Sequence, residues 1–252
     1  VGVAPVISAA FGIAILLGLN ACGPVALSPH EPPAAMQKFK PTAWLAESLA
    51  KRDAPPAEPD PALPPVVLVH GIDGCARDMA RLARGLQAAG RVVHAIDLVP
   101  NNGSAPLEDL SAQLQSFIDD HVADGVEFDL VGYSMGGIVS RHYVQERGGH
   151  ARVRRLVTIS SPHHGTLVAW LRRGAGACQM RIGSPFLARL ATSDSMENLP
   201  PTTSFLTSTD LIIVPFTSST LPGAENVRLF GWGHFTGIIE PHAIRRVVAA
   251  LL

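Results

Sequence analysis

The chain has 252 residues, 47% of them hydrophobic and only 16% charged, which is enough apolar material for one compact domain plus some appended sequence. Twenty basic against twenty-one acidic side chains leave a net charge of −1, so the basic surface that a phosphate backbone demands is missing and nucleic acid is not an expected partner. One local basic cluster, Arg147, Arg152, Arg154 and Arg155, reads as a solvated edge after a helix.

From Ala9 to Leu19 the chain is almost wholly apolar and uncharged, a length that suits a signal-peptide core better than a bilayer span. It ends in Leu19-Asn20-Ala21-Cys22, which resembles the bacterial lipobox, where a small residue precedes a cysteine that is lipidated. Asn20 is an uncommon occupant of its position, and no Lys or Arg occurs before Lys38. The other readings are an ordinary cleaved signal and an uncleaved anchor over residues 1–21. All three imply export, to a bacterial envelope if Cys22 is lipidated. In that compartment Cys75 and Cys178 are candidates for a disulfide tying the loop after the first strand to a later insertion. Neither has a second ligand at metal-binding spacing, so no metal and no cofactor is expected.

Residues 23–64 read as a Pro- and Ala-rich tether, interrupted by a short helix that Thr42 caps and that runs to Arg52, with Trp44, Leu45 and Leu49 on one face. The folded domain is expected over residues 65–252. Val66-Val67-Leu68-Val69 is a continuous β-branched run, the mark of a strand buried on both faces of a parallel sheet. Helix is then predicted over 76–88, strand over 91–98, helix over 106–122, strand over 127–133, helix over 134–146 and strand over 153–160. This alternation predicts an α/β fold, a mainly parallel sheet with helices on both faces.

Within it, Gly132-Tyr133-Ser134-Met135-Gly136 is a G-x-S-x-G element between a strand and a helix, which puts Ser134 at the apex of a tight turn. A serine hydroxyl is a weak nucleophile and needs a base, and a third group to hold that base. Of ten histidines, His234 follows the strand-like Asn226 to Phe230 on a glycine-flanked loop and precedes the last helix. The acid must lie between them, and Asp210 ends the β-branched run Thr202 to Thr207. Asp194, Glu197 and Glu225 compete but have no strand before them or sit in a turn. An oxyanion hole needs two preset N–H groups, and those of Met135 and Ile72 fit.

These elements, with Val69-His70-Gly71-Ile72-Asp73-Gly74 and Ser160-Ser161-Pro162-His163-His164-Gly165-Thr166, resemble the bacterial lipase and esterase branch of the α/β-hydrolase family over roughly residues 65–252. The resemblance implies Ser134, Asp210 and His234 as a triad, Ile72 and Met135 as oxyanion donors, and a structural role for His163 and His164. Arg141 reads as a buried or helix-edge charge. The segment between Gly165 and Pro201 is expected to form a short cap without a long lid, and Leu167, Trp170, Leu171, Phe186, Leu187, Ile72, Phe216 and Phe235 are candidates for an acyl pocket. The expected activity is hydrolysis of carboxylic esters of apolar acyl groups, lipids among them, by a monomer that meets its membrane through the N-terminus. The same residues would serve a thioesterase, amidase or acyltransferase, and a tethered binding protein without turnover is the reading from another class.

Overall fold

The computed structural model describes residues 41–51, 53, 55–192 and 196–252. Cys22, the apolar N-terminal run and Asp194 lie outside the described residues. Helix α1 (Pro41–Ala50) precedes β1 (Val66–Val69). A 3₁₀ turn (Ala76–Met79) then leads into α2 (Ala80–Ala88), followed by β2 (Val93–Ile96), α3 (Leu107–His121), β3 (Phe128–Tyr133), α4 (Met135–Glu146) and β4 (Val153–Ile159). A segment with two short helices, α5 (Ala175–Gln179) and α6 (Pro185–Leu190), leads to β5 (Thr202–Thr207) and β6 (Glu225–Leu229), and the chain closes with α7 (Thr236–Ile239) and α8 (Pro241–Ala249).

All six strands are parallel, in the order β2-β1-β3-β4-β5-β6. The run Val66–Val69 is buried on both faces. Val67 and Val69 join the layer built on α3, α4 and α6, while Val66 and Leu68 join the layer of α2 and α8. Each parallel connection crosses one face or the other, which is why both are covered and why the strands lack polar alternation. The chain reverses direction across the sheet between β1 and β3, and such a switch point leaves a crevice at the carboxyl ends of the two strands.

The predicted strand over 91–98 shortens to four residues, because the Arg91 N–H donates to the Leu86 carbonyl at one end and the Leu98 N–H to His70 Nε2 at the other. Asp129 on β3 is fully buried and accepts from the Arg91 guanidinium and from Arg154 Nε at 3.0 Å. Arg91 and Arg154 also donate to the Leu251 carbonyl, at 3.1 and 2.8 Å, and Arg155 donates to that of Ala250 at 2.9 Å. Arg152 bonds the Val122 and Ala123 carbonyls. The basic cluster is therefore more than a solvated edge, because it clamps the C-terminus and the end of α3 against the sheet. Removing the shared anion leaves Arg91 buried without a counter-charge, so Asp129→Ala is expected to cost about 3–5 kcal/mol in unfolding free energy, measured by urea denaturation.

Ala46 and Ala50 of α1 are buried against the 3₁₀ turn and α2, and Asp53 just beyond pairs with Arg81 at 2.9 Å. The backbone after it stays attached, with Ala57 N–H donating to Gln87 and Asp60 N–H to Gly90. Helix α1 is thus part of the folded body.

Candidate active site

β3 ends at Tyr133, and Ser134 takes φ 53 and ψ −122 before α4 begins at Met135. A side chain with positive φ is strained, and the strain persists because neighbours leave the backbone no other path. A Cβ on Gly132 would come within 2.5 Å of the Gly137 Cα, and one on Gly136 would collide with the Val69 and His70 carbonyls. The two glycines let β3, α4 and the end of β1 pack closely enough to force the turn.

The structure brings Ser134, Asp210 and His234 together. His234 Nε2 lies 2.9 Å from Ser134 Oγ, and His234 Nδ1 lies 2.7 Å from Asp210 Oδ2. An ionised carboxylate only accepts, so Nδ1 carries the proton and the Nε2 lone pair faces the serine hydroxyl. Asp210 Oδ1 accepts from the Ile212 and Ile213 amides at 2.8 and 2.9 Å. Burial by itself raises the Asp210 carboxyl, but the His234 charge and hydrogen bond and the Ile213 and Ile212 amides outweigh it and hold the group below the ordinary carboxylate value. A depressed folded value means that its share of stability is complete above the ordinary carboxylate range and is lost as pH falls through the folded one. The Tyr133 ring sits 5.0 Å from the His234 ring and backs it from the sheet side.

The loop after β1 passes directly over the serine, since a Cβ on Gly71 would lie 2.9 Å from the Ser134 Cβ. Met135 supplies the first N–H of α4, which has no intrahelical acceptor, and neither it nor the Ile72 N–H donates to another backbone group among the described residues. Neither amide is taken by a backbone acceptor among the described residues, Met135 directly follows Ser134, and Ile72 directly follows the glycine that packs on it. The loop is held from beneath by His70, whose Nε2 accepts from the Leu98 N–H at 2.9 Å. Its proton therefore sits on Nδ1, which donates to the Gly71 carbonyl at 2.7 Å.

A strand-elbow serine, a histidine after the last strand and two amides at a switch point form a constellation that can be compared with known proteins. The family profile described as palmitoyl protein thioesterase matches residues 65–220. The chain belongs to that family. Among solved structures, the mature Bacillus licheniformis lipase BlEst2 is 23% identical with a TM-score of 0.61, the match covering 79% of this chain and 95% of that one. Aspergillus fumigatus lipase B is 20% identical with a TM-score of 0.67, covering 79% and 55%. The thioesterase domain from the curacin biosynthetic pathway is 17% identical with a TM-score of 0.56, covering 77% and 92%. All three share the α/β-hydrolase fold described above. Family and fold together make this palmitoyl thioesterase relative a hydrolase of ester substrates.

Two supports of the site in this family member have no motif to announce them. Asp73, at φ 56 in the turn Gly71 to Gly74, donates its N–H to the Asn101 carbonyl, and its carboxylate pairs with Arg172 from the segment after β4. Arg172 is itself held, because its carbonyl accepts from Arg181, whose guanidinium lies 4.6 Å from the Trp170 ring centre. The only sequence signal is the doubled arginine after Trp170-Leu171. Part-exposed ion pairs are worth up to about 1 kcal/mol, so Arg172→Ala is expected to lower kcat about fivefold with little change in KM, and high salt to reproduce the loss in the wild type. Steady-state kinetics with Arg172→Lys as the restoring variant checks it.

The disulfide expected between Cys75 and Cys178 is not present, and the two cysteines are not bonded to each other. The loop after β1 and the insertion are joined instead by the Arg172–Asp73 pair, and the Ala177 N–H ties the insertion to Gly103 in the loop after β2. Of the acyl-pocket candidates, Phe186 and Leu187 are buried in the core with α4, and Phe235 packs behind Tyr133. Leu167, Trp170 and Leu171 are exposed on the rim, and Ile72 and Phe216 are half-buried. Burial pushes His163 well below its ordinary value, helped by Arg141 and His164, and its Nε2 lies 2.9 Å from Thr158 Oγ1. Arg141 is fully buried, and burial lowers it to about 10. Its guanidinium caps the Leu190 carbonyl at the end of α6. Both residues knit the fold.

Proposed function

We propose that the chain is a serine hydrolase that cleaves carboxylic esters of apolar acyl groups through an acyl-enzyme. The observation that carries this reading is the unbroken hydrogen-bond chain from Asp210 through His234 to the strained Ser134. Ser134 Oγ attacks the ester carbonyl and His234 Nε2 takes its proton. The Ile72 and Met135 amides receive the developing oxyanion, while Asp210 stabilises the imidazolium without taking the proton. His234 returns the proton to the leaving alkoxide, and water repeats the cycle on the acyl-enzyme.

A second reading, favoured by the family profile, is that the scissile bond is a thioester. A thiolate is a far better leaving group than an alkoxide at neutral pH, so the acid role of His234 matters less for a thioester than its base role. Steady-state hydrolysis of p-nitrophenyl esters and acyl thioesters of matched, graded chain length tests both. Faster turnover of oxyesters supports the first reading and faster turnover of thioesters the second. A folded chain inert toward both supports the binding-protein alternative and defeats both hydrolase readings. The apolar run before Cys22 supports export and membrane attachment as part of the proposal.

A further inference from the structure

Of the eleven large apolar side chains exposed among the described residues, six, namely Leu167, Trp170, Leu171, Leu211, Phe230 and Trp232, lie in the stretches that run from the carboxyl ends of β4, β5 and β6 to the next α-helix or strand. That is the edge on which Ser134 opens. The exposures are large, 77% for Phe230 and 63% for Leu211. The segments are tied into one surface. Thr209 Oγ1 donates to the Gly231 carbonyl at 2.7 Å and accepts from the Gly233 N–H at 2.9 Å, which joins the loop of Phe230 and Trp232 to that of Leu211. Thr166 Oγ1 donates to the Ile212 carbonyl at 2.6 Å, and the Leu167 N–H donates to that of Val214 at 2.9 Å, which joins Leu211 to the turn of Leu167, Trp170 and Leu171. Isolated exposed apolar residues need no explanation, but a contiguous set around a site does.

Acidic residues are scarce in the stretches that carry these six side chains. No Asp or Glu occurs over residues 147–193, 211–224 or 226–239, although the chain as a whole carries one more acid than base. The same stretches place Arg173 and Arg228 on the surface beside the apolar residues. Two loop carboxylates at this edge are already paired, Asp210 with His234 and Asp73 with Arg172. Tryptophan on an apolar rim bordered by arginine, with the neighbouring carboxylates paired, is the composition of a surface that lies in an interface between hydrocarbon and anionic headgroups.

We propose that this rim docks on an anionic lipid surface, with the Ser134 crevice facing the bilayer. Six apolar side chains enter the headgroup layer, Arg173 and Arg228 meet anionic lipid, and an acyl substrate reaches the serine without crossing water. The docking goes beyond the hydrolase reading and does not depend on it.

The test uses the full chain carrying Ser134→Ala, so that no lipid is hydrolysed, and Trp44→Phe, so that emission comes from Trp170 and Trp232 alone. Vesicles of phosphatidylcholine, with and without phosphatidylglycerol, carry brominated acyl chains. Strong quenching on the anionic vesicles is expected, weakened by salt and reduced to the neutral-vesicle level by Arg173→Glu with Arg228→Glu. Because quenching reports rim insertion, attachment through the N-terminal segment alone leaves emission unchanged. An absence of quenching while the chain still sediments with the vesicles overturns the proposal. Equal quenching on both vesicle types overturns its electrostatic part. Quenching in this inactive variant is independent of turnover, so failure of the docking and failure of the hydrolase reading are distinguishable.

Discussion

Replacing Ser134 with alanine is expected to lower kcat/KM roughly 10⁴-fold or more while leaving the fold intact. The hydroxyl is the group that attacks, and in a unit of mutually dependent residues the loss of the nucleophile removes most of what the others contribute. Alanine at φ 53 keeps the Cβ that serine already places there, so the elbow gains no new strain. Circular dichroism and the unfolding midpoint should match the wild type. Retained turnover would mean that the bond is broken elsewhere.

Asp210→Asn is expected to lower kcat about 10⁴-fold with little effect on KM. The Asn carbonyl would still accept from the Ile212 and Ile213 amides, which turns its NH₂ group toward His234 Nδ1. Two donors cannot share that contact. The imidazole proton then moves to Nε2, where it faces Ser134 Oγ and leaves no lone pair to take the serine proton. Asp210→Asn is nearly isosteric, so a large kcat loss in a folded variant is an effect of tautomer rather than of packing. An unchanged kcat would remove Asp210 from the proposed mechanism and return Glu197 and Glu225 to consideration.

How far this was legible in the sequence depends on the range of the interaction. The β-branched run Val66–Val69, the G-x-S-x-G turn and Thr202–Thr207 are local patterns, and each forms the element expected of it at nearly the expected bounds. His234 and Asp210 were legible because the order of elements along a parallel sheet leaves few places from which a side chain can reach the serine. The basic cluster is not legible because its partner, Asp129, lies on another strand and is buried, and no pattern in the Arg152 to Arg155 stretch announces it. The disulfide failed for a related reason. The sequence offered two cysteines and a closure to explain, whereas the closure is made by Arg172 and Asp73, ordinary surface residues until folding sets them together. Phe186 and Leu187 went to the core because Ser184 caps α6 through the Leu187 N–H and turns that helix inward.

Covalent trapping is the direct test of Ser134 as the activated nucleophile. The full chain would be treated with a fluorophosphonate that mimics the tetrahedral intermediate, digested, and mapped by mass spectrometry. One adduct is expected, on the peptide containing Ser134, abolished in Ser134→Ala and strongly slowed in His234→Ala. An enzyme that hydrolyses acyl esters yet takes no label at Ser134, or takes it on another residue, would contradict that role.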